Sequence, residues 1–165
     1  MKKYVEINSE NVASILNIDQ QPMNVVFTAM EYWALILNRT FLIFTYNEML
    51  CGAKVRGTTS SFSVLFGDSY WSNFLSYLSR RFLKKHIGIA PDSSAFLAAN
   101  RTNFQIPRNE ITKITFDPTP KWGMGGVPHT GKLYIETATR KREFIILGSQ
   151  DGKDIESRLS HWLYN

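Results

Sequence analysis

The sequence has little that would support covalent or metal chemistry. Its 165 residues include one cysteine, Cys51, so an internal disulfide and a multi-thiolate metal site are both excluded. Cys51 lies among apolar neighbours, where we expect a small buried thiol rather than a reactive nucleophile. The three histidines, His86, His129 and His161, lack the spacing of a metal-binding pair. We therefore predict a protein that is not an enzyme and that needs no cofactor and no metal.

Long hydrophobic runs are also missing. The longest uninterrupted apolar stretch covers residues 32–37, which is far short of the roughly 20 residues that a membrane-spanning helix needs. Two lysines near the start have no apolar run behind them, so we do not expect a secretory signal. With 44% hydrophobic and 13% aromatic residues, the chain can still bury a core that folds unaided. We expect a single soluble domain, 1–165. We expect it to be cytoplasmic, either free or bound peripherally to a membrane.

Aromatic and β-branched residues dominate two parts of the chain and predict β-strands there. The first part is 24–57, with a turn at 47–48. The second begins at residue 95 and ends in a hairpin that turns near 138–140. Because short turns join neighbouring strands and no βαβ alternation occurs, we expect an antiparallel sheet.

The triplet Asn-Arg-Thr occurs twice between apolar runs, at 38–40 and at 100–102. Asparagine tolerates the left-handed backbone that tight hairpins require. We therefore interpret both triplets as hairpin turns, and we expect residues 32–37 to be a strand.

Helical periodicity marks three further segments: an N-terminal lead-in at 1–22, a helical insertion at 58–93 and an amphipathic helix at 151–164. In the last segment, Asp151 and Asp154 stand near the start, where the helix dipole favours anions. The predicted fold class is α+β, mainly β, with a bent antiparallel sheet or partly open barrel. The last helix closes the sheet, and its apolar face consists of Ile155, Leu159, Trp162 and Leu163.

This order of elements resembles the pleckstrin-homology-like (PH-like) superfamily, including its GRAM-like and bacterial PH-like domains. The residues that carry the resemblance are the hairpin 34–44, the segment 104–114, the hairpin 131–147 and the final helix with Trp162. Many PH domains have a tryptophan in this helix, and there it packs on the end of the barrel. The resemblance implies a scaffold for binding.

The sequence departs from that family in two respects. About 30 residues with helical character interrupt the predicted sheet at 58–87. The basic cluster that phosphoinositide-binding PH domains carry between their first two strands is not evident either, since only Glu31 and Arg39 lie in the nearest turns. The resemblance therefore does not imply recognition of inositol phosphates.

A basic cluster ends the aromatic, amphipathic segment 70–86, in a stretch with no acidic residue between positions 68 and 92. Basic residues beside aromatic ones favour the surface of an anionic membrane, and the same charges suit nucleic-acid phosphates. In the alternative, the aromatics pack on the sheet and the cations complement a helix end, where we also place His86. The basic cluster consists of Arg80, Arg81, Lys84 and Lys85.

A glycine-rich loop at 121–132 is the second candidate binding segment. Gly126 to Lys132 matches the GxxxxGK part of a phosphate-binding loop, but a strand pattern follows and Pro128 removes a backbone donor. We therefore expect a hairpin loop there. Lys121 and Trp122 in this loop mark either a contact surface or a plug on the barrel.

These features predict a non-catalytic binding or adaptor module that engages a protein partner or an anionic membrane surface. A nucleic-acid-associated domain that uses the helix 70–86 is the alternative, and a small-molecule enzyme ranks third. The oligomeric state cannot be predicted. The predicted binding residues are Arg80, Arg81, Lys84, Lys85, Lys121, Trp122 and Lys132.

Overall fold

The computed structural model describes residues 25–33, 37–56, 81, 85–124 and 126–165. In this part of the chain, seven strands form one sheet in which all neighbouring pairs are antiparallel. Two α-helices, α1 (Ser94–Ala99) and α2 (Gly152–Tyr164), and a 3-10 helix (Arg108–Glu110) accompany it. The strands are β1 (Val26–Tyr32), β2 (Asn38–Tyr46), β3 (Met49–Arg56), β4 (Phe104–Pro107), β5 (Ile111–Asp117), β6 (His129–Thr137) and β7 (Lys141–Leu147).

The strand order β4-β3-β2-β1-β7-β6-β5 requires the sheet to curl. β4 and β5 lie at opposite edges, although only the 3-10 helix separates them in sequence. In a flat sheet these edges would be roughly 28 Å apart, at about 4.7 Å per strand. The link from Pro107 to Ile111 reaches at most about 14 Å. The sheet is therefore a half-barrel, which confirms the predicted mainly-β class with a C-terminal helix.

The main hydrophobic core lies on the concave face of the half-barrel. It includes Phe27, Phe41 and Phe144, which are fully buried and come from β1, β2 and β7. Helix α2 closes this core and begins at Asp151, whose side chain accepts hydrogen bonds from the backbone N–H groups of Lys153 and Asp154. The predicted closing helix is confirmed, with Ile155, Leu159 and Leu163 buried on its apolar face.

Two smaller clusters cover the convex face. Phe96 of α1 packs edge-to-face against Phe44, with ring centroids 6.3 Å apart. Met124 and Val127 of the glycine-rich loop cover the outer face of β1 and β7. The connection from β3 to β4, which contains α1, and the loop from β5 to β6 are therefore both fixed to the sheet by apolar contacts.

The first turn does not lie where the sequence predicted it. Residues 38–40 begin β2 and pair with the end of β1, so they are not a turn. A hydrogen bond from Trp33 N to Leu37 O (3.0 Å) links the two ends of the connection between these strands. Of the apolar run 32–37, Tyr32 ends β1, Trp33 and Leu37 lie outside the strands, and residues 34–36 lie outside the described residues. Among the described residues other than glycine, Asn47 has the left-handed backbone (φ 49°), in the turn predicted at 47–48.

Residues 94–99 form α1 rather than the predicted strand. The helix begins at Ser93, whose Oγ accepts a hydrogen bond from the N–H of Phe96. The triplet at 100–102 is a turn as predicted, but it joins α1 to β4 and is not a hairpin.

The predicted lead-in at 1–22 and most of the insertion at 58–93 lie outside the described residues. Within the insertion, Arg81, Lys85 and His86 have helical backbone. In the part of the chain that the structure describes, no helix is long and apolar enough to cross a membrane.

Candidate functional site

The two Asn-Arg-Thr triplets meet at one groove, which has a volume of about 390 Å³. Its walls come from four places: the connection between β1 and β2, the start of β2, the end of β3 and the turn after α1. We call it the basic groove. Its lining residues are Trp33, Leu37, Asn38, Arg39, Lys54, Asn100, Arg101 and Thr102.

Asn100 fixes the turn that presents Arg101. Its Oδ1 accepts hydrogen bonds from the backbone N–H of Thr102 (3.1 Å) and from the Thr102 hydroxyl (2.9 Å). The N–H of Asn103 donates to the carbonyl of Asn100 (2.8 Å). An asparagine that bonds its own backbone two residues on is typical of tight turns. Arg101, at the tip of this turn, is exposed.

Asn103 then holds this turn against β3. Its Oδ1 accepts from the N–H of Lys54 (2.9 Å), and its Nδ2 donates to the Phe96 carbonyl (2.7 Å) and to His86 Nε2 (2.9 Å). These three bonds place Lys54 and Arg101 on the same groove.

His86 is the last helical residue before a turn, so it lies at a helix end as the sequence predicted, but its side chain does not point into solvent. The ring is buried, and it lies edge-to-face with Phe96 at 5.7 Å. Because the Asn103 amide nitrogen can only donate, Nε2 of His86 is the acceptor in this hydrogen bond.

Arg39 stacks over the Trp33 ring, 5.0 Å from its centroid. Its cross-strand neighbour Glu31 bonds instead to Arg142, through Nε (2.8 Å) and Nη2 (2.7 Å). Within the described part of the chain, neither Arg39 nor Lys54 nor Arg101 forms an ion pair. The groove therefore carries uncompensated positive charge, which attracts anions.

Two exposed apolar side chains, Trp33 and Leu37, line the groove beside this charge. In the connection after β1, Trp33 is 55% exposed and Leu37 is 39% exposed. Trp122, in the glycine-rich loop, is 95% exposed. The Tyr32 hydroxyl donates to Met124 Sδ (3.6 Å), so this loop is attached to the end of β1 from which Trp33 projects.

The residues that the sequence predicted to bind do not line the groove where the structure describes them. Arg80 and Lys84 lie outside the described residues, whereas Arg81 and Lys85 are exposed. Trp122 is exposed rather than a plug. Lys121 and Lys132 form ion pairs of 2.6 and 2.8 Å, with Glu143 and Asp117 respectively.

The GxxxxGK segment runs into a strand, β6, as the sequence predicted. The hydrogen bond from Lys132, followed by those from Thr119, lowers the pKa of Asp117 from 3.8 to about 2. The same hydrogen bond raises the pKa of Lys132. Lys132 is therefore paired with Asp117 on the neighbouring strand.

Cys51 has the environment of a structural thiol. Burial, assisted by the charge of Asp92, raises its pKa from 9.0 to about 12, and its Sγ donates to the Pro91 carbonyl. The thiol thus stays protonated at neutral pH. Among the described residues, no group of three or more His, Cys, Asp or Glu side chains is placed to hold a metal ion.

Sequence reasoning missed most of this site. It noted Arg39 only as a residue near a turn, and it missed Lys54, Arg101 and the exposed pair Trp33 and Leu37. The repeated Asn-Arg-Thr triplet was the available signal, because its two arginines converge on the groove.

Fold and groove together define a half-barrel domain with a C-terminal helix and a basic groove, compatible with a PH-like fold. No family model matches the chain, and no curated protein matches it. One solved structure similar to it is the C-terminal domain of an unknown protein from Leishmania infantum. The two share 14% identity over 94% of this chain and 99% of that chain, with a TM-score of 0.44. This likeness is too weak to carry an argument.

Proposed function

We propose that this chain is a PH-like, non-catalytic binding module that holds an anionic membrane surface in its basic groove. The observation that carries the proposal is the convergence of Arg39, Lys54 and Arg101 on one cavity without an ion pair among the described residues. A basic residue close to an anionic membrane contributes about 1 kcal/mol of binding free energy. Three such residues give an affinity that a single surface charge does not.

The exposed tryptophans favour a membrane over a soluble anion. Trp33 and Leu37 flank the cations, and the loop that carries Trp122 is attached to the same strand end. Tryptophan is suited to the boundary between headgroups and acyl chains, because its ring is apolar and its N–H is polar. A phosphate ion in solution would bind to the cations and would make no use of the exposed tryptophans.

The strand order and the closing helix support the PH-like assignment, as does the resemblance of the sequence. The predicted basic cluster keeps a place in this proposal, because Arg81 and Lys85 are exposed. Such charges add long-range attraction to an anionic surface, which salt screens.

The test is co-sedimentation with vesicles that contain phosphatidylserine, and with neutral vesicles as the reference. We expect Arg39→Gln/Arg101→Gln to weaken binding about thirtyfold, which corresponds to about 2 kcal/mol. The matched control is Lys113→Gln/Lys153→Gln, which removes the same charge from exposed positions on β5 and α2. We expect the control to change the affinity less than about threefold.

Equal losses in the two variants would refute the groove and indicate general attraction by net charge. Binding of the unchanged protein to neutral vesicles alone, or to neither kind, would refute the membrane proposal. A variant with Ser at positions 80, 81, 84 and 85 tests the predicted cluster. If only this variant loses binding, the cluster rather than the groove is the contact. A titration with inorganic phosphate distinguishes a soluble anion from a membrane surface.

A further inference from the structure

A second cavity of about 200 Å³ opens between β4 and the end of β6, and it shares no lining residue with the basic groove. We call it the interior cleft. Phe104 and Ile106 of β4 face Ile135 of β6 across it, and Arg140 and Arg142 close one side. It therefore combines an apolar floor with two arginines.

Arg142 is held rigidly at the cleft. Its side chain is 8% exposed, and its Nε and Nη2 form a bidentate pair with Glu31. Its guanidinium lies 3.7 Å from the Phe104 ring centroid and 4.7 Å from that of Phe144. A guanidinium that is both stacked and bidentate has a fixed orientation.

One edge of this guanidinium remains free. The group has five N–H donors, and the fork to Glu31 uses Nε and one side of Nη2. Within the described residues, the hydrogen bonds of the guanidinium run through Nε and Nη2, and none runs through Nη1. Nη1 is also not sealed from solvent, because Thr115 Oγ1 is the one side-chain N or O atom of the described residues that is both sealed and unpaired. Nη1 is therefore open to the cleft that Arg142 lines, and with Nη2 it forms a second fork that fits a carboxylate.

The apolar floor depends on Gly52. A Cβ at this position of β3 would overlap the Phe104 ring. Without it, the ring lies against β3 and stacks with Phe144, at a centroid distance of 5.7 Å and an interplanar angle of 25°. Ile106 and Ile135 are almost completely buried and extend this surface.

We propose that the interior cleft binds a small monocarboxylate with an apolar body. The carboxylate takes the free fork of Arg142, and the hydrocarbon part rests on Phe104 and Ile135. Glu31 already compensates the charge of Arg142. The positive charge that attracts the carboxylate to the cleft therefore comes from the exposed Arg140. Glu110 at the rim is an anion that disfavours a second carboxylate on the ligand.

The size of the cleft sets the scale of the ligand. At about 200 Å³ it is smaller than the pockets of roughly 300 Å³ or more that hold drug-sized molecules. A short aliphatic acid or a single-ring aromatic acid is of the right class.

The test is an NMR titration of the full chain with hexanoate, and with hexanol as the neutral match. We expect saturable shifts at Phe104, Ile135 and Arg142 with a Kd of about 1 mM. Hexanol, which has no charge for the fork, is expected to bind at least about tenfold more weakly.

Two variants sharpen the result. Arg140→Gln, at an exposed position, is expected to weaken hexanoate binding about fivefold while vesicle binding changes little. Arg39→Gln/Arg101→Gln is expected to leave hexanoate binding unchanged. The cleft and the membrane proposal can thus fail independently.

Three results would overturn the proposal: no saturable shift with hexanoate, equal binding of hexanol, or shifts confined to the basic groove. Loss of hexanoate binding in Glu31→Gln/Arg142→Gln, which removes both buried charges together, would support it. If that variant does not fold, the titration of the unchanged protein and of Arg140→Gln still decides.

Discussion

At the scale of single residues, ion pairs between neighbouring strands neutralise lysines on the convex face. Lys132 and Asp117 lie directly opposite each other on β6 and β5, and Lys141 and Glu136 do so on β7 and β6. Opposite charges placed across a ladder stabilise the pair modestly. Because these lysines are compensated, the excess positive charge of the described residues is concentrated elsewhere, including the basic groove.

Asp117 makes this pairing measurable as a dependence on pH. Its folded-state pKa of about 2 lies below the ordinary 3.8, so the unfolded chain takes up the proton first. The stabilisation is complete above pH 3.8 and is lost as the pH falls from 3.8 towards 2. We expect Lys132→Gln to raise the pKa of Asp117 towards 3.8, because the hydrogen bond from Lys132 is the largest cause of the shift.

An NMR titration of the Asp117 carboxyl carbon measures this change. Lys141→Gln is the control, since Lys141 pairs with Glu136 and is expected to leave the pKa of Asp117 unchanged. A pKa that stays near 2 in Lys132→Gln would mean that Thr119 is the dominant partner.

At the scale of elements, α2 shows how unevenly one helix contributes to the core. Leu159 is fully buried, whereas Trp162 is half-buried and packs at the edge of the core cluster. The Trp162 Nε1 donates to the carbonyl of Asn47 (3.3 Å), and Arg108 lies over the ring at 5.8 Å. The tryptophan therefore joins the helix to the turn between β2 and β3.

We expect Leu159→Ala to lower the free energy of unfolding by about 3 kcal/mol, because it leaves a cavity in the core. Trp162→Ala is expected to cost about 2 kcal/mol, since a half-buried ring loses less. Urea unfolding measures both, and Ser157→Ala, at an exposed position of the same helix, is the control. A larger loss for Trp162→Ala than for Leu159→Ala would contradict this ranking.

Regular elements could be predicted from the sequence, whereas the site could not. The alternation in β6 and β7 and the 3.6-residue period of α2 are local patterns, so these elements were found from the sequence. Helix α1 was missed because Phe96 is its single buried residue, which leaves no periodicity to detect. Lys54 and Arg101 lie on the same groove because Asn103 bonds to the backbone of Lys54 and β3 pairs with β4. Both contacts join residues far apart in sequence, so no local pattern predicts them.

At the scale of the whole molecule, Arg108 attaches the link between the two edge strands to the turn before β3 and to the end of α2. Its N–H donates to the carbonyl of Glu48 (2.8 Å) and its Nε to the carbonyl of Leu163 (3.2 Å). Its Nη1 also pairs with the exposed carboxylate of Glu48. One residue therefore connects the link between β4 and β5, the turn before β3 and the end of α2.

We expect Arg108→Ala to lower the free energy of unfolding by about 2 kcal/mol, from the lost hydrogen bond to Leu163 and the lost packing on Trp162. Glu48→Gln is expected to cost less than about 0.5 kcal/mol, because exposed ion pairs contribute little. Urea unfolding gives both values, and faster amide hydrogen exchange in α2 of Arg108→Ala would locate the change. Equal losses would attribute the effect to the ion pair.

The strand order also has a consequence for how the chain is made. β1 pairs with β2 on one side and with β7 on the other, and its Glu31 bonds to Arg142, 111 residues later. Contacts so distant in sequence slow folding. During synthesis, β1 to β4 can form a meander early, but one edge of β1 stays unpaired until β7 has left the ribosome. An open strand edge is a template for pairing with other chains. The nascent protein is therefore most prone to aggregation in that interval, and chaperones that cover strand edges would act on it then.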